Sequence, residues 1–340
     1  TGMGAVALTY YPPLWQSANT PQRRAWQAAR AYVENPLIRM AETPVSSRGG
    51  AVAWHLEDAD DEPVEDDSPP EYVALREFIE KPQALLPLQE RQPGMTTRRG
   101  LWAQTLRHMG LCGSSFWYLD QTTALGDIPA AILYLAPWRL FEVLRPSGTL
   151  LGWTLDKPKE EGGIPLELEQ VLPFYLNPPD MGYFATGLVE TAGMKAALDP
   201  IINRHIGNVI GSGGRLTGLV SPKPNAGQVV TDDQWKTFVN DYRQIAQDPN
   251  AAQRLQIVQG AVDYVRMAAT LDELDIVDIS EMTMDGILGV WGVPRSQAGI
   301  ATPAGLNSGE TKSFDEAILW QGAIHNRLAP FWETVQYGLL

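Results

Sequence analysis

Three stretches of this 340-residue chain carry side chains dense enough in charge or reactivity to do chemistry. The first is 271–291, where Asp272, Glu273, Asp275, Asp278, Glu281 and Asp285 occur with no base among them. On a helix, like charges three and four residues apart repel by a few tenths of a kcal/mol per pair. So one-sided a run points to a task. A divalent-metal site is one reading, but no histidine and no second acidic cluster lies nearby in sequence. The second stretch is 56–71, with nine acids, three prolines and no base. It reads as a solvated loop, because it has little apolar surface to bury. It lacks the glycine and terminal glutamate of a calcium loop. In the third, His108 and Cys112 stand one helical turn apart, a spacing that could pair a thiol with an imidazole. The apolar residues that follow, Phe116 and Trp117, favour a small buried cysteine instead.

No other pattern composes a reaction centre. The glycines of 211–214 follow a helical run, whereas a phosphate-cradling loop precedes its helix, so they read as a helix cap. No P-loop motif, Ser-His-Asp set or zinc set is present. One cysteine excludes an intrachain disulfide. The expectation is a protein that is not an enzyme and uses no cofactor or metal.

Composition narrows the partners. Apolar types make up 44% of the chain, enough for a core, and the length suggests two or three domains. The most apolar run, 128–138, has eleven residues, against about 20 for a bilayer span, so no membrane partner is expected. Twenty-six bases against forty acids give a net charge of -14, which argues against electrostatic wrapping of nucleic acid. That excess is local. The two acidic stretches together hold fifteen acids, and the remainder of the chain is within one charge of neutral.

The positioning elements divide into two halves. Helical periods cover 21–32, 72–79 and 98–111, the last amphipathic, and 33–40 reads as mixed structure. Aromatic and β-branched runs at 115–120, 131–138, 140–144 and 151–155, with turn residues between them, predict an antiparallel sheet. The first half is therefore α+β. The second half opens with a long helix over 186–210, with Leu198, Ile201, Ile202, His205, Ile206, Val209 and Ile210 on one side. A strand at 216–220 follows. A capping box at 231–234 opens a helix carrying Trp235 and Tyr242 as internal core, and 254–267 alternates like strands. The acidic helix of 271–291 has an apolar stripe of Leu274, Val277, Met284, Leu288 and Trp291. After it comes a small-residue loop, 292–308, without acids. A last helix, 309–336, should bury Phe314, Ile318, Ile324, Leu328, Phe331 and Val335 and bend at Pro330.

The order of these elements resembles the portal proteins, the head–tail connectors of tailed double-stranded DNA bacteriophages, in the long-tailed phage type. The residues that carry the likeness are Ile287-Leu288-Gly289-Val290-Trp291-Gly292-Val293-Pro294 and Arg327-Leu328-Ala329-Pro330-Phe331-Trp332-Glu333. The stretches 72–86 and 113–120 support it. The resemblance implies an α+β portal fold with a wing (1–185), a first stem helix (186–210) and a small α/β clip (211–270). A second stem helix (271–291), a tunnel loop (292–308) and a kinked tunnel helix with the C-terminal end (309–340) complete it. The family's crown would then be absent or trimmed, and the 56–71 insert matches no family signature.

The same resemblance implies a homo-oligomer, a dodecameric ring at one capsid vertex in the virion, assembled in the host cytoplasm. Double-stranded DNA would pass through it without sequence preference. Its protein partners would be the terminase large subunit, the head–tail adaptor, the major capsid protein and the scaffold. Asp275, Asp278, Glu281 and Asp285 are then candidates to line the channel as stacked negative rings, with salt bridges between the stem helices of neighbouring subunits as the alternative. In the tunnel loop Arg295, Gln297, Thr302 and Asn307 are the candidate polar residues, with Arg295 and Asn307 placed to meet phosphate. Lys223, Asn225, Gln228, Asp248 and Asn250, in the clip's outer loops, are candidates to face adaptor and terminase. The alternatives are another oligomeric phage structural protein, such as an adaptor or minor head protein, and a metal-dependent nuclease using the acidic helix.

Overall fold

The structure, a computed structural model, describes residues 20–57, 62–120, 129–179, 182–211, 218–222, 262–266, 275–300 and 309–339, together with Thr231, Asp233, Lys236 and Asn240. The chain forms two compact units, one of residues 1–197 with 285–340 and one of residues 198–284. Mixed helix and sheet is observed, as the sequence indicates.

In the larger unit, α1 (Pro21–Glu34) starts at Thr20, whose hydroxyl accepts from Arg23 N at 3.3 Å, with proline at the first helical position. The stretch read as mixed structure is instead a second helix, α2 (Pro36–Gly50). Asn35 caps it, its Oδ1 accepting from Leu37 N (2.9 Å) and Ile38 N (3.2 Å). An Asn-Pro pair is a helix-start signal, because the cap fills orphan donors and proline lacks an N–H there anyway. Asn35 Nδ2 also donates to Ala196 O at 3.3 Å.

Helix α3 (Pro70–Glu80) follows the acidic stretch, whose described ends are a loop closed by one bridge between Glu57 and Pro63. This loop does bury apolar surface: Leu56 and Val64 are in the core, and Arg76 ties down both Val64 O and Asp66. Helix α4 (Arg98–Cys112) is not amphipathic. Leu101, Trp102, Leu106, Met109 and Leu111 are at most 1% exposed, and they point to several sides, as expected of a central helix. Gly113 ends it at φ 81°, where a Cβ would stand 2.5 Å from Ala185 O. Only glycine both adopts that backbone and leaves that space.

Two three-stranded antiparallel sheets replace the one expected. The first has the order β2 (Ala131–Leu135), β1 (Ser114–Asp120), β6 (Val171–Tyr175). The second runs β3 (Leu140–Leu144), β4 (Leu150–Leu155), β5 (Ile164–Leu166). Strands β5 and β6 each contain a proline, which hides them from a propensity reading. Both lie at sheet edges, where a missing N–H is tolerated. Phe116, Trp153 and Phe184 pack between the sheets with Leu135, Leu140 and Val171.

Helix α5 (Leu188–Gly211) bends at Gly193, which has φ 40° and ψ -105°. Its expected apolar side is only partly covered, with Ile202 buried and Ile201 and His205 exposed. Strands β7 (Gly218–Pro222) and β8 (Val262–Arg266) pair antiparallel in the smaller unit, and Asp233, Lys236 and Asn240 are helical. The rest of 211–270, with Trp235 and Tyr242, lies outside the described residues. Helix α6 (Ile276–Trp291) is shorter than expected. Its buried side is Ile276, Thr283, Ile287, Leu288 and Trp291, while Val277, placed in the expected stripe, is 69% exposed.

The last helical run is not one helix bent at proline. Helix α7 (Gly309–Ile318) passes through a π-helical turn (Leu319–Ile324) into α8 (His325–Leu339), and Pro330 lies within the continuous α8. Phe314 and Ile318 are exposed, against expectation. Phe331 is fully buried, stacked on Phe174 at 5.3 Å and edge-on to Trp102 at 5.4 Å and Trp117 at 6.0 Å. The C-terminal helix thereby completes the core of the N-terminal half.

A buried ion pair sets the same helices. Arg327 Nη1 donates to Glu42 Oε1 at 2.6 Å, and Trp291 Nε1 donates to Glu42 Oε2 at 2.7 Å. Glu42 is 0% and Arg327 3% exposed. Burial pushes the Glu42 carboxyl up, and the Arg327 charge opposes that rise. Gly110 makes room: a Cβ there would collide with the guanidinium and stand 2.7 Å from Glu42 Oε2. Glu42→Ala leaves the arginine buried without its counter-charge, and should destabilise the protein by about 3–5 kcal/mol in urea unfolding.

His108 is buried, hydrogen-bonded to the Tyr134 hydroxyl, and does not pair with Cys112, whose Sγ donates to Ala25 O at 3.3 Å. Burial first, and the Arg107 charge second, lower the imidazole from 6.5 to about 3. Burial also pushes the Cys112 thiol up, which disfavours the thiolate. Below pH 6.5 the unfolded chain gains a proton at His108 that the folded chain refuses. Stability should therefore fall as pH drops from 6.5 toward 3, by up to about 1.4 kcal/mol per pH unit. His108→Phe should flatten that slope in unfolding curves taken across the range.

Candidate functional site: the acidic helix and the root of its loop

Helix periodicity places Asp278, Glu281 and Asp285 on one face of α6, and all three are exposed. Asp275 is not in the helix. It precedes the first turn at φ 46°, exposed, with its carbonyl accepting from Ile279 N at 3.0 Å. Aspartate tolerates this left-handed backbone better than most residues.

Asp285 is not an isolated wall charge. Arg295, from the loop that follows, grips it with two bonds, Nε to Oδ1 at 2.6 Å and Nη2 to Oδ2 at 2.8 Å. The base missing from the acidic run is thus supplied ten residues later. Two residues that the sequence assigned to different tasks, a channel carboxylate and a phosphate contact, hold each other. The bonds from Arg295 keep the Asp285 carboxyl below its ordinary 3.8.

The start of the loop is built, not loose. Gly292 turns at φ 67°, Val293 and Ala298 are buried, and Ala298 N and Ile300 N donate back to Arg295 O at 3.2 and 3.0 Å. Gln297, one of the polar loop candidates, has its Oε1 accepting from Arg48 Nη2 at 2.8 Å. The other terminal nitrogen of Arg48 lies 3.6 Å from Glu316 Oε1 on α7. Ser296 Oγ donates to Asp315, also on α7. Residues 293–300 are therefore tied to α2, α6 and α7 at once. Trp291, at the end of α6, is anchored through Glu42 to α2 and α8.

Thr302 and Asn307 lie outside the described residues, as do Lys223, Asn225, Gln228, Asp248 and Asn250. Sequence reasoning missed Glu42, Arg48 and Gly110. None sits in a motif, and only Arg327, inside the run that carries the family likeness, had a signal. Among the described residues no group of three or more histidines, cysteines or carboxylates could hold a metal ion, and no helix is long and apolar enough to cross a membrane.

This mixed helix-and-sheet fold is similar to those of solved phage portal and phage-like neck structures. The neck of an empty gene transfer agent particle, computed with C6 symmetry, is similar to it. That match has a TM-score of 0.64 at 13% identity, covering 93% of this chain and 81% of that one. The neck of the native particle, computed with C12 symmetry, gives 0.60 at 14% identity, covering 94% and 81%. An HK97 family phage portal protein from Corynebacterium diphtheriae gives 0.61 at 13% identity, covering 90% and 88%. A family model described as phage portal protein matches residues 76–337, and the chain belongs to that family. No curated protein sequence matches it.

The Asp285–Arg295 grip has a defined pH range. Because the folded carboxyl titrates below its ordinary 3.8, the grip contributes fully above that value. It is lost as pH falls through the depressed one. Hydrogen exchange at Ala298 and Ile300, corrected for the intrinsic pH dependence of exchange, should show unchanged protection from neutral pH to 3.8. Protection should be lost only below that value.

Proposed function

We propose that the chain is the repeating subunit of a dodecameric portal ring at one vertex of a tailed-phage or phage-like capsid, a structural conduit and not an enzyme. Double-stranded DNA passes through its channel during packaging and ejection. Family membership across residues 76–337 is the observation that carries this reading. The exposed row of Asp278 and Glu281 on α6 fits it physically. Duplex DNA carries one charge per about 1.7 Å, so a wall that must pass it without gripping it should repel it. Such repulsion acts over about 8–10 Å at physiological salt, enough to centre a duplex in a narrow channel.

Within this reading residues 1–185 form the wing, 186–210 and 271–291 the stem helices, and 211–270 the clip. Residues 292–308 form the tunnel loop, and 309–340 the tunnel helix and C-terminal end. Asp275 and Asp285 extend the acidic row at either end, the latter shared with Arg295. Asn307 is the loop residue that meets the duplex, with Thr302 among the loop's polar residues. The clip loops with Lys223, Asn225, Gln228, Asp248 and Asn250 meet the terminase large subunit and then the head–tail adaptor. The wing meets the major capsid protein and scaffold. The ring assembles in the host cytoplasm and ends in the virion.

Negative-stain imaging of the purified chain tests this directly. Rings with a central hole support it; a monomer that cleaves DNA on addition of a divalent metal overturns it. The double change Asp278→Lys and Glu281→Lys should leave rings intact. It should reduce the yield of DNA-filled heads by about tenfold at low salt, an effect that eases as salt rises.

A further inference from the structure

The loop that follows α6 has two candidate roles for its arginine, and the contacts around residues 293–300 discriminate between them. A phosphate-reading arginine needs its donors free to turn toward the duplex. Arg295 has Nε and Nη2 committed to one carboxylate in the fork geometry that guanidinium and carboxylate share, and its side chain is 21% exposed against 56% for Asp285. Its carbonyl is committed as well, accepting from Ala298 N and Ile300 N. On either side, Ser296 is held by Asp315 and Gln297 by Arg48. Three consecutive residues are thus each bonded to a different helix: Arg295 to α6, Ser296 to α7, Gln297 to α2.

We infer that Arg295 is a positioning residue, not a DNA contact: with Asp285 it locks residues 293–300 onto the helical body and fixes the direction in which the loop leaves α6. Arg48 is the second lock, because one guanidinium reaches both Gln297 on the loop and Glu316 on α7. The three ties come from three different helices, α2 among them 249 residues away at the Arg48–Gln297 bond, so each limits a different displacement of the segment. An arginine in this role behaves as half of a pair. Removing either half has the same consequence, and exchanging the two halves restores it.

That symmetry supplies the test, which has one arm independent of the portal reading and one that rests on it. In the first, hydrogen exchange is followed over 293–300 and over 114–120 as an internal control. Arg295→Ala and Asp285→Asn should each raise exchange in 293–300 by about tenfold and leave 114–120 unchanged. Arg295→Lys, which keeps the charge but not the fork, should fall between. The charge exchange D285R/R295D should return most of the protection. No change in Arg295→Ala, or no recovery in the double variant, overturns the inference whatever the protein's function.

In the second arm, DNA-filled heads are counted for the same variants. A positioning pair predicts equal loss for Arg295→Ala and Asp285→Asn. A phosphate contact predicts loss for Arg295→Ala alone, since Asp285→Asn would free the guanidinium for DNA, and that result overturns the inference. If no variant changes packaging while the exchange results hold, the lock stands and the portal reading of the loop fails.

Discussion

The Glu42–Arg327 pair is the constraint from which the rest of the larger unit follows. Two opposite charges are buried to 3% exposure or less, and each would carry a desolvation penalty of several kcal/mol if left alone. Only one relative placement of α2 and α8 lets them meet at 2.6 Å, and the residues concerned are 285 positions apart in the chain. Trp291 adds its indole N–H to the same carboxylate, so the end of the acidic helix is set by the same group. Gly110 is the space that makes the arrangement possible, since any side chain there would occupy the volume of the guanidinium. The pair is worth little as net stability, because an apolar substitute could pack as well. It marks one meeting point of the three helices, since the carboxylate on α2 is reached from α6 and α8 together.

Apolar packing then fills in around that meeting point. Phe331 sits on the same helix as Arg327, one turn on, and fills the space among Trp102, Trp117 and Phe174. Removing a buried aromatic of this kind costs about 3–5 kcal/mol, so this cluster supplies stability where the ion pair supplies geometry. With α8 so placed, the π-helical turn and α7 come back toward α2, and Arg48 can reach both Gln297 and Glu316. The loop after α6 is held where it is because of contacts made by elements at the two ends of the chain.

Much of the fold was legible because its signals are local. The turn at 146–148, the helices at α1, α3 and α4, and the strands β1 to β4 all follow from patterns within a few residues. Failures came where a local signal was masked or overruled. Pro165 and Pro173 hid β5 and β6, although an edge strand accepts proline. Pro330 drew attention as the expected bend, while the irregularity lies in the π-helical turn that ends six residues earlier. The apolar period of the last helix placed Phe314 inside, and it is exposed. Periodicity tells which residues share a face; it does not tell where along the helix that face stops being covered.

For the site, the charge pattern is a property of the chain alone: fifteen acids in two stretches, a loop without acids after the second, and near neutrality elsewhere. The sequence also carried the element order by which the family is recognised, since order and short motifs are properties of the chain alone. Which of those charges are engaged became visible only in the folded molecule. Asp285 and Arg295 are ten residues apart and looked like members of opposite groups, yet they are one unit. Glu42 carried no signal in the sequence and is fully buried, held by Arg327 and Trp291. Ion pairing depends on distances of a few ångströms between groups whose sequence separation ranges from ten to nearly three hundred. No local pattern encodes such distances; the packing of helices around one buried carboxylate does.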